Sequence, residues 1–386
     1  MEAIELIELI GRGEDSRTQF KQSQDVSNAQ SLAGELTAFS NSKGGIILIG
    51  VSDQGTVTGV SPSDVRRLNQ LLANTTTNNV KPAINLETEN VPVGDKLVIV
   101  VTVREGISKP YTDNNGVLWV KSGSDKRKVT SREEVQRMLQ CADLVHADDV
   151  PVGGTTVADV DLDHFRTFFE KHYGEPLEDK NAPLTRLLEN LNLAKGGSLK
   201  LAGLLLFARN PQRLRPAFVV KAVSFVGNDP AGEKYRDSED IGGCLRDLYA
   251  RTMSFLLRNL RRVQAGQGFN TEGELEVSQA ALEELVVNML LHRDYFISAP
   301  WRVMIFDNRI ELVSPGALPN NLTVEHIRNG VSNMRNPLIA SFATKELPYR
   351  GIGTGIRRAL AGIPELWLES DHERNLFTAR IPRMTS

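Results

Sequence analysis

Cysteine is nearly missing from this chain. Cys141 and Cys244 are the only two, they lie far apart, and no Cys-x-x-Cys pair or Cys/His cluster occurs. A thiolate zinc site is therefore not expected, and the pattern fits a reducing cytoplasm. Long apolar runs are missing too: the longest, such as residues 45–51 and 97–103, fall far short of a membrane span. The acidic, amphipathic start (residues 1–15) lacks a basic n-region, so no signal peptide is expected. Neither sign of charge dominates. Lys and Arg number 45 against 48 Asp and Glu, a net charge of −3, so nothing global calls for nucleic acid or an anionic membrane. No Gly-x4-Gly-Lys-Ser/Thr loop occurs, which leaves a P-loop motor unsupported. Internal repeats, coiled-coil heptads and low-complexity tracts are absent as well.

What is present is a chain of 386 residues, 40% hydrophobic and 24% charged, long enough for two to three domains with sizeable cores. Its charge is unevenly placed. Residues 121–128 carry four bases and one acid, and 246–262 carry five arginines and one aspartate. A solvated helix face is the plainer reading of the second run.

The most informative stretch is the last quarter. Glu284, Asn288 and His292 are spaced four apart, which on a helix puts a carboxylate, an amide and an imidazole on one face. The other faces carry Leu285, Val286, Met289 and Leu290, as in a helix packed on a sheet. A carboxylate can orient and deprotonate water, and an amide oxygen is a hard ligand suited to Mg²⁺. Further on, Gly351-Ile352-Gly353-Thr354-Gly355 is a glycine-rich turn able to set backbone N–H groups against phosphates. Either motif alone is weak. The two in this order, around the expected strands 301–306 and 309–313, point to a nucleotide site.

This region, residues 279–362, resembles the ATP-binding domain of the GHKL superfamily, the type found in gyrase and histidine kinases. Glu284-x-x-x-Asn288 looks like its N box, the Ser314–Pro319 segment like a divergent first glycine box, and Gly351-x-Gly353-x-Gly355 like the second, at the lid. The resemblance implies ATP and Mg²⁺ as cofactors. Glu284 would be the catalytic residue activating water, in a slow ATP hydrolase of GHKL type. Asn288 would be the metal ligand, with His292, Ser314, Gly316, Gly351, Gly353, Thr354 and Gly355 around the nucleotide. Ser314 stands where the superfamily has an adenine-binding aspartate, and Ala317 where it has a glycine. These departures are the best support for a third reading, a degenerate interaction scaffold.

The N-terminal part reads as mixed α+β: helices over 2–11, 30–41, 64–72 and 132–139, and strands over 46–51, 97–103 and 117–121. Residues 143–156, acidic and then glycine-rich, read as a boundary. Beyond it the pattern gives helices near 161–172 and 183–191, a strand over 219–225 and a long helix over 243–266. The expected domains are 1–142, 143–270 as a middle coupling domain, and 271–386.

The segments Glu14–Lys21 and Ala38–Val60, with Lys109-Pro110-Tyr111 and Val120–Ser124, resemble the Schlafen-type AlbA domain. The whole chain resembles bacterial regulators, often labelled RecG-like helicases, that join such a domain to a GHKL-like one. The expected fold class is thus α+β and multidomain: an AlbA-like N-terminal domain, a mixed middle domain and a GHKL-like α/β sandwich. The expected partner is DNA or RNA, held by Lys21, Lys43, Lys121, Lys126, Arg127 and Lys128 through phosphate contacts, with Tyr111 available for stacking and Trp119 more in keeping with a core. The rival reading is a metal-dependent nuclease of Schlafen type using Glu14 and Asp53, with neutral Gln19 where the family has a second acid. The resulting expectation is an ATP-binding, DNA-binding transcriptional regulator, cytoplasmic, without a membrane segment, and a homodimer.

Overall fold

The computed structural model describes residues 1–142, 144–180, 182–232, 234–263, 273–319 and 322–383. The chain divides into two compact units, Met1–Val145 and His146–Ser386. Among the described residues no helix is long and apolar enough to cross a membrane.

The first unit opens with α1 (Ala3–Arg12), which buries Leu6 and Ile10 and leaves Ile4 and Ile7 exposed. A four-stranded sheet follows in the order β1-β2-β4-β3, from β1 (Thr18–Lys21), β2 (Gly45–Ile49), β3 (Leu86–Val93) and β4 (Lys96–Val103). β1 and β2 run parallel with Gln19 opposite Ile47, and the other pairings are antiparallel. Between β1 and β2 lies α2 (Ala29–Asn41), capped by Asn28 and buried over every residue from Leu32 to Asn41. It is covered on all sides because α3 (Pro62–Asn78) and the hairpin of β5 (Trp119–Ser122) and β6 (Asp125–Lys128) pack on it beside the sheet. The unit's last helix is α4 (Arg132–Cys141).

The glycines after α2 explain its abrupt end. Gly44 has φ +68°, and a Cβ there would sit 2.6 Å from the Val103 carbonyl oxygen, while one at Gly45 would sit 2.4 Å from that of Arg17. Asn41 locks the same corner: its side-chain amide donates to the carbonyls of Tyr111 and Trp119 and accepts from the Tyr111 N–H. Tyr111 is consequently buried, with its hydroxyl accepting from Ser108 N–H, so the expected stacking platform is a core residue.

The second unit has one six-stranded sheet in the order β8-β7-β9-β10-β12-β11. Its strands are β7 (Val220–Phe225), β8 (Tyr235–Ile241), β9 (Trp301–Ile305), β10 (Arg309–Pro315), β11 (Trp367–Asp371) and β12 (Leu376–Pro382). β7 and β9 pair in parallel, Val220 opposite Trp301. Strand alternation sets the packed face: Trp301, Val303 and Ile305 are buried while Arg302 is exposed. Around the sheet stand α5 (Leu162–Tyr173), α6 (Leu184–Asn190), α7 (Leu201–Phe207), α8 (Leu245–Asn259), α9 (Gln279–Leu291), α10 (Val324–Arg328), α11 (Pro337–Glu346) and α12 (Gly355–Gly362). α8 and α12 flank α9.

The mixed α+β, multidomain class expected from the sequence is the one observed. The middle domain over 143–270 is not separate in this fold. β7 and β8 come from that stretch and complete the sheet of β9–β12, because β7 supplies the hydrogen-bonding edge that β9 needs. The boundary drawn at 270 lies outside the described residues. The helix expected over 243–266 spans 245–259 and ends where Leu260 turns extended. Its arginines are partly paired rather than merely solvated: Arg258 bridges Asp237 and Glu239 on β8, and Arg251 joins Glu239.

Candidate functional site

A cleft of about 1070 Å³, including its open mouth, lies in the second unit. Glu284, Asn288 and His292 on α9 form one wall; Ser314 and Gly316 at the end of β10 form another; Gly351, Gly353, Thr354 and Gly355 close over it. All nine residues singled out for this site therefore face one space.

Each wall has a local cause. α9 begins at Ser278, whose hydroxyl accepts from Ala281 N–H, and its apolar faces are buried against the sheet and α8, so only the Glu284 face opens to the cleft. Asn288 donates from its amide to the Glu284 carbonyl at 2.7 Å, which leaves its amide oxygen as the group a cation can use. His292 ends the helix. Burial, and then the guanidinium of Arg335, push its pKa down to about 4, so the imidazole is neutral at pH 7 although part of it opens on the cleft. Ser314 is buried and donates to the Met289 carbonyl at 3.2 Å, tying β10 to α9. Gly316, with φ +103°, has no room for a side chain: a Cβ would lie 2.5 Å from Arg335 Nη1 and 2.6 Å from Asp294 Cβ.

The closing loop approaches just as tightly. Gly351 and Gly353 have positive φ, and α12 starts at Gly355 with Thr354 as N-cap making no side-chain capping bond, so backbone N–H groups of its first turn are not claimed by a cap. A Cβ at Gly355 would sit 2.5 Å from Glu284 Oε2 and 3.1 Å from Asn288 Nδ2. A side chain there would have to push the Glu284 carboxylate and the Asn288 amide aside, so glycine lets the helix start rest on them. These features fit a bound phosphate chain with a cation on Asn288.

Three residues of the cleft were missed by motif reading: Arg335, Arg350 and Arg358. Position was the one cue, and only for two of them: Arg350 precedes the glycine loop and Arg358 follows it in the first turn of α12. Arg358 Nη2 bonds Glu284 Oε1. Arg335 Nη2 donates to the Ala317 carbonyl at 2.8 Å.

In the first unit, three of the six bases singled out gather round a carboxylate that motif reading also missed. Glu35 on α2 is buried, 2.7 Å from Lys126 Nζ and 3.9 Å from Lys21 Nζ, and it attracts Lys121 as well. Lys121 donates to Gln19 Oε1 at 2.7 Å and to the Ser124 carbonyl, and lies 4.7 Å over the Phe39 ring. Burial outweighs the nearby carboxylates and lowers its pKa. Arg127 pairs with Glu134, Lys128 lies 5.4 Å over the half-buried Trp119 ring, and Lys43 is exposed. Glu14 accepts from Gln19 Nε2 and Phe20 N–H, both at 2.6 Å, whereas Asp53 sits in an exposed turn. Among the described residues, no group of three His, Cys, Asp or Glu side chains is placed to hold a metal ion.

Comparison with known proteins matches two segments. Residues 14–130 match the family model described as "Schlafen, AlbA_2". Residues 299–375 match the one described as "Putative ATP-dependent DNA helicase recG C-terminal". The second match begins downstream of α9, so it takes in the Ser314–Pro319 segment and the glycine loop but not Glu284 or Asn288. No curated protein matches the chain. Among solved structures, the chain is similar to the crystal structure of a Corynebacterium diphtheriae protein, at 19% identity and TM-score 0.47 over 99% of this chain and 79% of that one. It is also similar to the solution structure of the N-terminal domain of a RecG-related protein from Nitrosomonas europaea, at 24% identity and TM-score 0.25 over 34% of this chain and 96% of that one.

Proposed function

We propose, for a chain that joins a Schlafen AlbA_2 segment to a recG C-terminal segment, a DNA-binding transcriptional regulator that binds ATP and whose ATP occupancy modulates its hold on nucleic acid. The observation that carries this reading is the convergence of α9, the end of β10 and the 351–355 loop on one cleft. Backbone N–H groups at the start of α12 would hold phosphate oxygens. The Asn288 amide oxygen would hold Mg²⁺, which when bound offsets phosphate charge. Glu284 is the group able to orient a water, giving at most slow hydrolysis of GHKL type. His292, kept neutral, adds no charge to the cleft, and Ser314 and Gly316 border the space left for the base. In the first unit the exposed bases Lys43, Arg127 and Lys128 would neutralise phosphates of DNA or RNA, with affinity that falls as salt rises, whereas Lys21, Lys121 and Lys126 are gathered round buried Glu35. A homodimer in the cytoplasm belongs to the same reading.

The test is a thermal-shift titration with a Mg·ATP analogue on wild type and Asn288→Ala. A rise in melting temperature in wild type that disappears in the variant is expected, since a ligand that binds only the folded state stabilises it in proportion to ln(1 + [L]/Kd). No rise in wild type would favour a degenerate scaffold. Nucleic-acid affinity is then measured with and without the analogue, and equal values would sink the proposed modulation.

A further inference from the structure

Glu284 does not stand open in the cleft. One carboxylate oxygen is bonded to the guanidinium of Arg358, and the other lies against the first turn of α12, 2.5 Å from where a Gly355 side chain would begin. The carboxylate is only 12% exposed, whereas the arginine that grips it is 38% exposed and lines the cleft. Both partners thus border the space that the glycine loop encloses. Arg358 lies in the turn that starts at Gly355, its N–H bonded to the Thr354 carbonyl at 3.0 Å.

Resting on the reading of this cleft as a nucleotide site, we propose that Arg358 is the residue that distinguishes a nucleoside triphosphate from a diphosphate, by exchanging Glu284 for the terminal phosphate. A guanidinium offers a planar fork of donors that suits a phosphate as well as a carboxylate, and a terminal phosphate carries more charge than the carboxylate it displaces. A phosphate chain seated on the 351–355 loop and the start of α12 brings its end to the turn that carries Arg358. A diphosphate is one phosphate shorter and leaves the Arg358–Glu284 pair in place. In that state Oε1 of Glu284 is taken up by Arg358 and Oε2 lies against the first turn of α12, so the carboxylate is not presented to a water. The triphosphate therefore frees the group needed to act on it, and the pair keeps Glu284 idle otherwise. Arg335 differs: its Nη2 donates to the Ala317 carbonyl beside Gly316.

Calorimetric titration of wild type, Arg358→Met, Glu284→Gln and the double variant with Mg·ADP and with the β,γ-imido analogue of ATP tests this. A charge-assisted contact to the terminal phosphate predicts that wild type prefers the analogue by roughly tenfold or more. Arg358→Met brings that ratio to about one with ADP affinity unchanged, since only the terminal-phosphate contact is lost. Glu284→Gln tightens the analogue severalfold and leaves ADP alone, because the internal competitor is weakened. A ratio unchanged in Arg358→Met, or equal effects on both nucleotides, overturns the assignment while leaving nucleotide binding intact. A wild type that binds neither nucleotide overturns the nucleotide reading and this assignment with it. Should Arg358→Met fail to fold, the ADP-to-analogue ratio of Glu284→Gln decides alone.

Discussion

His292 and Asp148 are titrating groups in the same unit whose neutral forms are favoured by burial, with opposite effects on its stability. Burial and Arg335 lower His292 from 6.5 to about 4. The folded chain thus refuses a proton that the unfolded chain takes, and stability is complete above pH 6.5 and lost as pH falls towards 4. Asp148 is fully buried, accepts from Ile339 N–H at 2.9 Å, and is raised by burial from 3.8 to about 6. Here the folded chain keeps a proton that the unfolded chain releases, so stability is complete below pH 3.8 and lost as pH rises through 6. Each of these changes is worth about 3 kcal/mol across its window. Between pH 4 and 6 the two slopes cancel. Urea midpoints over that range should therefore rise with pH more steeply in Asp148→Asn than in wild type, and less steeply in His292→Gln. Parallel profiles for all three proteins would contradict this account. Asp148 was illegible in the sequence: in DLVHADDV it reads as one acid of a linker, and only the fold reveals that it caps the start of α11.

Elements whose sequence carried both a pattern and a stop signal were readable. α2 is one: apolar residues run to Asn41, and Lys43-Gly44-Gly45 ends it before an unbroken apolar strand. The two glycines are needed for contact as well as for turning, since backbone atoms of Val103 and Arg17 occupy the places of their side chains. Gly44→Ala should therefore destabilise the first unit by about 2–3 kcal/mol, because a main-chain carbonyl in a sheet cannot step aside and φ is positive. Chemical denaturation of the variant measures this, and a loss under 0.5 kcal/mol, about the size of a neutral surface change, would refute it. β3 was unreadable for the opposite reason: as an edge strand with most side chains in water, Leu86–Val93 shows no apolar alternation. The cleft was legible as far as motifs go, at Glu284, Asn288 and the glycine loop. The arginines that give it its charge were not, because an arginine beside a motif looks like any solvated arginine until its partner is seen.

Two compact units predict two unfolding events. Differential scanning calorimetry of the whole chain should show a pair of transitions, and the Mg·ATP analogue should raise only the one belonging to residues 146–386. A single transition moved as a whole by the analogue would show the units melting together. The sequence suggested three domains because residues 143–156 read as a boundary and the nucleotide motifs begin well beyond the long helix expected over 243–266. The sheet gives the reason that the boundary at 270 misleads: β7 and β8 come before it, and β9, which pairs with β7, comes after it. This arrangement also protects the protein from its own kind. β9 is apolar on its packed face and would be a ready template for a foreign strand, but β7 covers it. β8 then ends the sheet with Asp237 and Glu239 held by Arg251 and Arg258, a charged and occupied border rather than a sticky one. A fragment begun at residue 271 to isolate the cleft would strip that border away and leave Trp301–Ile305 as an open seam for aggregation, so a usable piece must begin near residue 146.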